Sequence, residues 1–130
     1  YAKAWSSGDP KSVVSFYSED GQIIINRGEP VVGHAALLDM VNGFYGEFPG
    51  LTVELEHLRS AGDHVMFGWI LKGQHAETGN RVSVPGWEEW DLDQHMKIRK
   101  SLGWFDAEEY ERQCDPAVHR RAGQMDRIHL

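Results

Sequence analysis

The chain is poor in cysteine, in basic charge and in long apolar runs. Its single cysteine, Cys114, cannot form an internal disulfide. It is expected as a small reduced side chain, buried or half-buried. No stretch approaches 18 apolar residues, so no membrane-spanning helix and no membrane partner are expected. Lysine and arginine number 13 against 20 aspartates and glutamates, a net charge of −7. Such a chain repels phosphate backbones, which argues against nucleic acid as a partner. No secretory signal is present, so a cytoplasmic location is expected. The chain begins at Tyr1 rather than methionine, and a longer natural N-terminus is expected. Motifs that would announce a metal or cofactor are also missing. The seven histidines form no His-Glu-x-x-His pair, and His75-Ala76-Glu77 is an unspecific trio near a turn. There is no glycine-rich phosphate loop, dinucleotide fingerprint or Gly-x-Ser-x-Gly nucleophile elbow. No metal and no cofactor are expected.

What remains is the composition of an ordinary globular domain, 41% hydrophobic and 25% charged over 130 residues. A domain of that size buries roughly two-thirds of its unfolded surface and needs no metal or disulfide to hold it. The chain divides into three blocks without a linker. Residues 1–7 read as the end of a helix, with Tyr1 and Trp5 on one face. Gly8 stops it. Asp9 then caps a short helix that starts at Pro10, whose apolar side is Val13, Val14, Phe16 and Tyr17. Gln22 to Asn26 reads as a strand ended by Arg27-Gly28-Glu29-Pro30. After Gly33, residues Leu37, Leu38, Val41, Phe44, Tyr45 and Phe48 form a helical stripe closed by Pro49-Gly50. The middle block, Leu51 to Trp104, carries strand signals throughout. Segments 51–58, 65–71, 81–92 and 97–105 are separated by turns, with a possible bulge at Pro85-Gly86. Asp106 and Glu109 open a helical tail. A further short helix is expected from Asp115-Pro116, with a solvated basic face at His119-Arg120-Arg121.

Early helices followed by a meander define an α+β domain: helices packed in the concave face of a curved, mostly antiparallel sheet. The domain is expected over 1–113, with a helical tail over 114–130. A sheet curving around helices leaves a conical space between them, and that space is the expected pocket.

One residue contradicts the pattern of its strand. In 81–93, Val82, Val84, Gly86, Glu88, Trp90 and Leu92 share one side, and the other side is the polar one. Glu88 is a lone carboxylate on an apolar face. If Leu92 pairs with Ile98, Glu88 faces Leu102. A carboxylate there must find a charged partner, hold a proton or make the site wet. Lys100 or Arg99 on the next strand would supply the charged partner. Without one, desolvation raises the carboxyl pKa into the range useful for general acid–base work. Asn26, where the first strand leaves the sheet, and Tyr1, on the inner face of the first helix, are the other candidates. Each also has a plain structural reading, as a turn residue and as core. Trp5, Trp69 and Trp90 fall on inward faces; with Tyr45 and Leu102 they are the expected substrate-contacting side chains. Trp87 and Trp104 are placed outward, where they would serve a homodimer interface.

In order and spacing, the chain resembles the SnoaL-like and ketosteroid-isomerase-like branch of the nuclear transport factor two superfamily. The likeness runs through Tyr1 to Gly8-Asp9, Phe16-Tyr17-Ser18-Glu19-Asp20 and Gly33-His34-Ala35-Ala36. It continues through Phe48-Pro49, Ala61-Gly62-Asp63-His64-Val65, Trp69, Trp104-Phe105-Asp106 and Gln113. The resemblance implies a cone of helices in a bent sheet, commonly dimeric through the sheet, and enzymes that move protons on hydrophobic carbonyl compounds without metal or cofactor. In ketosteroid isomerases a tyrosine of the first helix and a protonated acid of a late strand hold the oxyanion. Tyr1 matches the first and Glu88 falls at or beside the second. The isomerase base is an aspartate at the end of the first strand, where this chain has Asn26. Related epoxide hydrolases carry an aspartate where this chain has Gly103. The resemblance therefore leaves a polyketide-cyclase-like or isomerase-like proton transfer on a hydrophobic small molecule. Glu88, Tyr1 and Asn26 would be the catalytic set. A binding or dimerisation module without chemistry is the alternative.

Overall fold

The computed structural model describes residues 1–115; the helix expected beyond Asp115 and its His119-Arg120-Arg121 patch lie outside the described residues. Two short helices lead the chain, α1 (Ala2–Ser6) and α2 (Pro10–Val14). The Asp9 carboxylate accepts the Lys11 N–H at the start of α2, and Pro10 takes the first helical position, as the sequence pattern requires. Strand β1 (Tyr17–Ile25) follows, then a two-residue edge strand β2 (Val31–Val32) and the long helix α3 (His34–Glu47). Four strands come next, β3 (Thr52–Ala61), β4 (His64–Gln74), β5 (Arg81–Leu92) and β6 (Ile98–Phe105). Helix α4 (Ala107–Cys114) is capped by Asp106, which accepts the Glu109 N–H. Among the described residues no helix is long and apolar enough to cross a membrane.

The six strands form one open sheet in the order β2-β1-β6-β5-β4-β3. Every neighbouring pair is antiparallel except β1 with β6, which is parallel. The α+β expectation holds. Val13 and Val14 of α2 and Leu37 and Val41 of α3 are buried against Ile23, Phe67, Val82, Val84 and Trp90 of the sheet. Burial of these apolar faces, at about 25 cal/mol per Å², is what closes helices onto sheet.

Four local expectations are corrected. Phe16 and Tyr17 do not belong to α2: the helix ends at Val14 and Tyr17 opens β1. Five turn-forming residues are too few to compete with pairing to β6, where Tyr17 sits opposite Ile98. The edge strand β2 is an addition, its two residues being too short to leave a pattern in the sequence. No bulge occurs at Pro85-Gly86, which pairs in unbroken register with Ile70 and Trp69. Pro85 lies just past the end of the β6 pairing, where one side of the strand needs no donor. Gly86 is required by close approach instead. A Cβ there would stand 2.5 Å from the Trp104 carbonyl oxygen and 2.5 Å from the Trp69 ring. The register shift lies between Asp91 and Leu92. Leu92 pairs with Ile98, yet the shift moves Glu88 one residue on, so it faces Gly103 rather than Leu102.

Candidate functional site

Strand β5 buries alternate residues from Val82 onward, and Glu88 is among them at 6% exposure. The parity that buries Trp90 also places its indole two residues along on the same face, where Nε1–H donates to Glu88 Oε1 at 3.1 Å. On β6, opposite Trp90, the fully buried Ser101 donates its hydroxyl to the same oxygen at 2.8 Å. Tyr1 reaches it from the start of α1, donating at 3.1 Å. The Tyr1 hydroxyl also lies 2.8 Å from that of Tyr17. Three neutral donors thus converge on Oε1, and none of these bonds uses Oε2.

The surroundings are aromatic. The Phe67 and Trp90 rings stack with centroids 5.2 Å apart, and Tyr1 packs edge-on against both, at 5.5 and 4.9 Å. Within this collar, burial pushes the Glu88 carboxyl above its ordinary range, against the pull of donors from Trp90, Ser101, Tyr1 and Tyr17. Burial and the nearby Glu88 charge hold the Tyr1 and Tyr17 phenols well above theirs, so both remain protonated donors. The charged partner considered from sequence does not form. Lys100 stands opposite Asp91 across the ladder, and the hydrogen-bond partners of Glu88 are neutral.

A hollow of about 60 Å³ opens beside Glu88, between α1, α3, α4 and the sheet. On this measure one water needs about 10–15 Å³. Ile23, Ile25, Met40, Phe44, Val53 and Phe105 form much of its wall, and among the described residues Glu88 is the one carboxyl on it. Gly103 opens the space next to Glu88. A methyl there would meet Glu88 Cγ, Ile23 and Ile25 at 3.7–3.8 Å, ordinary contact rather than a clash. Trp69 also lines the hollow. Its Nε1–H is the one buried side-chain polar group without a hydrogen-bond partner among the described residues.

Of the residues singled out from sequence, Glu88, Trp5 and Trp69 line the hollow, and so does Trp104, which the sequence placed outward. Tyr1 and Trp90 lie behind it as donors to Glu88. Tyr45 packs on Trp5 and donates to its carbonyl oxygen at 2.8 Å, outside the lining. Asn26 is not brought to Glu88. It sits in the left-handed region at φ 50°, and its Oδ1 accepts the Phe105 N–H at 3.0 Å, holding the turn after β1 to the end of β6. Leu102 is on the opposite sheet face from Gly103, displaced by the register shift. Sequence reasoning missed Ser101, Tyr17 and Gly103. Inward alternation counted back from Phe105 would have found Gly103 and Ser101. Counting forward from Ile98 crosses the irregularity and fails.

The architecture is shared with solved proteins of the ketosteroid isomerase-like class. One from Catenulispora acidiphila, solved with trimethylamine, superposes with a TM-score of 0.79 at 17% identity, covering 86% of each chain. SalBIII, an epoxide hydrolase/cyclase-like enzyme of pyran ring formation in salinomycin, gives 0.74 at 18% identity, covering 84% of this chain and 87% of that one. TerC, crystallised with polyporic acid, gives 0.72 at 15% identity, covering 85% and 92%. At these identities the likeness is one of fold. The SnoaL-like domain model matches residues 1–100, and the chain belongs to that family. No curated protein matches it.

Proposed function

We propose that the protein moves a proton on a small hydrophobic carbonyl compound held in the hollow, with Glu88 as the acid–base group. The observation that carries this reading is a single buried carboxyl on an apolar wall, fixed by neutral donors alone. Oxygen Oε1 is occupied by three donors, so Oε2 is the atom that would exchange the proton. Tyr1 and Ser101 act through Glu88 as positioning residues. The unpartnered Trp69 N–H is a donor that a ligand carbonyl would satisfy. Asn26, engaged with Phe105, is given a supporting role in the turn that closes β1 against β6. Solved relatives with bound small molecules support a ligand in this class of fold.

The test works while the natural substrate is unidentified. Incubation with a panel of apolar ketones in heavy water, read by mass spectrometry, should show deuterium uptake next to the carbonyl. Glu88→Gln should abolish that uptake, and Trp69→Phe should weaken it. Uptake unchanged by Glu88→Gln would sink the mechanism. The lack of an acid at position 26 favours a second reading, a binding module. A molecule retained through purification and released unaltered, with no uptake by any ketone, would identify it. The outward Trp87, 43% exposed and stacked on Trp104, supports pairing of two copies through the sheet, which light scattering would detect as a doubled mass.

A further inference from the structure

We infer that Glu47, His75 and Cys114 form a binding site for one thiolate-preferring divalent cation of the zinc class, clamping α4 to the rest of the fold. The ligand atoms of these three residues lie within 4.8 Å of one another. They come from three separate elements. Glu47 is the last residue of α3, His75 follows β4, and Cys114 ends α4. This site is separate from Glu88 and does not depend on the proton-transfer reading.

The backbone holds each donor in place without a cation. The Ala76 N–H donates to the Glu47 carbonyl at 2.8 Å, tying the loop after β4 to the end of α3. His75 N–H donates to the Asn80 carbonyl at 2.8 Å. The Asn80 amide then donates to the carbonyls of Gln113 and Asp115, on either side of Cys114, at 3.0 and 2.8 Å. Gln113 in turn bonds the Ser83 backbone through both ends of its amide. Cys114 is therefore pinned from both neighbours against the loop that carries His75.

The chemistry of the set is that of a zinc site with an open position. Imidazole, thiolate and carboxylate are three of the four ligands of a tetrahedral centre, with water as the fourth. A thiolate and a carboxylate together neutralise a divalent charge. With bonds of about 2.0–2.3 Å, tetrahedral ligand atoms stand roughly 3.3–3.8 Å apart, so closure needs a shift of about an ångström in the widest pair. His75 Nε2 is already 3.5 Å from Glu47 Oε1. The other ring nitrogen, Nδ1, accepts the Thr78 N–H at 3.3 Å and lies 3.1 Å from the Thr78 hydroxyl; a cation on Nε2 requires the tautomer in which Nδ1–H donates to that hydroxyl instead. The imidazole is 8% exposed, with Phe48 edge-on at 5.4 Å. One turn before Cys114, Tyr110 lines the hollow beside Glu88, so the clamp would also hold that wall.

The test uses the full reduced chain and cobalt(II), then zinc, as the metal alone. Cys114 is the sole cysteine, so a sulfur-to-cobalt charge-transfer band reports this site and no other. One equivalent of cobalt should produce the band, and one of zinc should abolish it by displacement. Cys114→Ser should remove the band and weaken zinc binding more than about 100-fold, beyond what second-layer changes do. Thr78→Val should weaken it about 10–100-fold. Glu47→Gln, at a partly exposed position, should keep the fold and lose affinity. No band from the folded wild type, or zinc affinity unchanged in both Cys114→Ser and Glu47→Gln, would overturn the proposal.

Discussion

Replacing Glu88 by leucine and by glutamine separates its two roles, as acceptor and as acid. Leucine fills the volume and removes the acceptor. Tyr1 keeps Tyr17 as a partner at 2.8 Å and Ser101 keeps the Tyr17 oxygen, so the donor left without one is Trp90 Nε1–H. A buried orphan costs about 1–3 kcal/mol, so Glu88→Leu should lose about 1–3 kcal/mol, partly offset by added apolar contact. With a urea slope of about 1–3 kcal/mol per molar, the midpoint should fall by on the order of 1 M. Glutamine keeps an acceptor oxygen for all three donors and cannot ionise. Burial raises the Glu88 pKa in the folded chain. Between the ordinary glutamate range and that raised value, the unfolded chain has released the proton and the folded chain still holds it. Folding there takes up a proton, so wild-type stability falls as pH rises, until the folded acid ionises too. Glu88→Gln lacks this loss. Its stability relative to wild type should be level below about pH 4 and should climb across that window, each tenfold change in acidity being worth about 1.4 kcal/mol. Urea titrations from pH 4 to 8 measure both effects. A leucine variant as stable as the glutamine one, or a glutamine advantage independent of pH, would refute the reasoning.

Other perturbations test the surroundings. Tyr1→Phe removes a donor that lowers the Glu88 pKa, so the pH at which the folded acid ionises should rise; carbon-detected NMR of labelled glutamate reads it directly. Gly86→Ala places a methyl 2.5 Å from both the Trp104 carbonyl and the Trp69 ring, and should cost about 1–3 kcal/mol in urea unfolding while changing Trp69 fluorescence. Asn26→Ala loses the acceptor for Phe105 N–H and strains a left-handed residue, for about 1–3 kcal/mol; Asn26→Asp, which keeps the acceptor, should stay near wild type.

The fold is largely legible in the sequence because its signals are long. Fourteen residues of α3 and the twelve of β5 carry their periodicity far enough to resist local noise. The Asp9-Pro10 start and the Asp106 cap are legible because their side chains act within three residues. What fails is short or non-local. The two-residue β2 has no period, and Tyr17 joins β1 because of a partner 81 positions away, Ile98. The site shows the same division. The inward placement of Glu88 follows from the alternation of its own strand. Its facing residue does not, because the shift at Asp91–Leu92 displaces the β6 residues from Lys100 onward by one relative to a straight ladder. Asn26 is a candidate by its position at a strand end, and its engagement with Phe105 depends on the other end of the sheet.

The identity of the groups around Glu88 matters more than its burial. A buried carboxylate facing a guanidinium or ammonium gains Coulomb energy that lowers its pKa and keeps the proton off near neutral pH. Hydrogen bonds from phenol, indole and hydroxyl also favour the ionised form, but more weakly than a cation would. Here desolvation outweighs all of them, and the carboxyl pKa moves up. All three bonds fall on Oε1, so they fix the rotamer without occupying Oε2. The group is thereby oriented through Oε1, on a wall whose described residues include no competing acid. An ion-paired glutamate at the same place would be equally buried and chemically idle. With neutral partners, burial instead holds the Glu88 carboxyl pKa above its ordinary range.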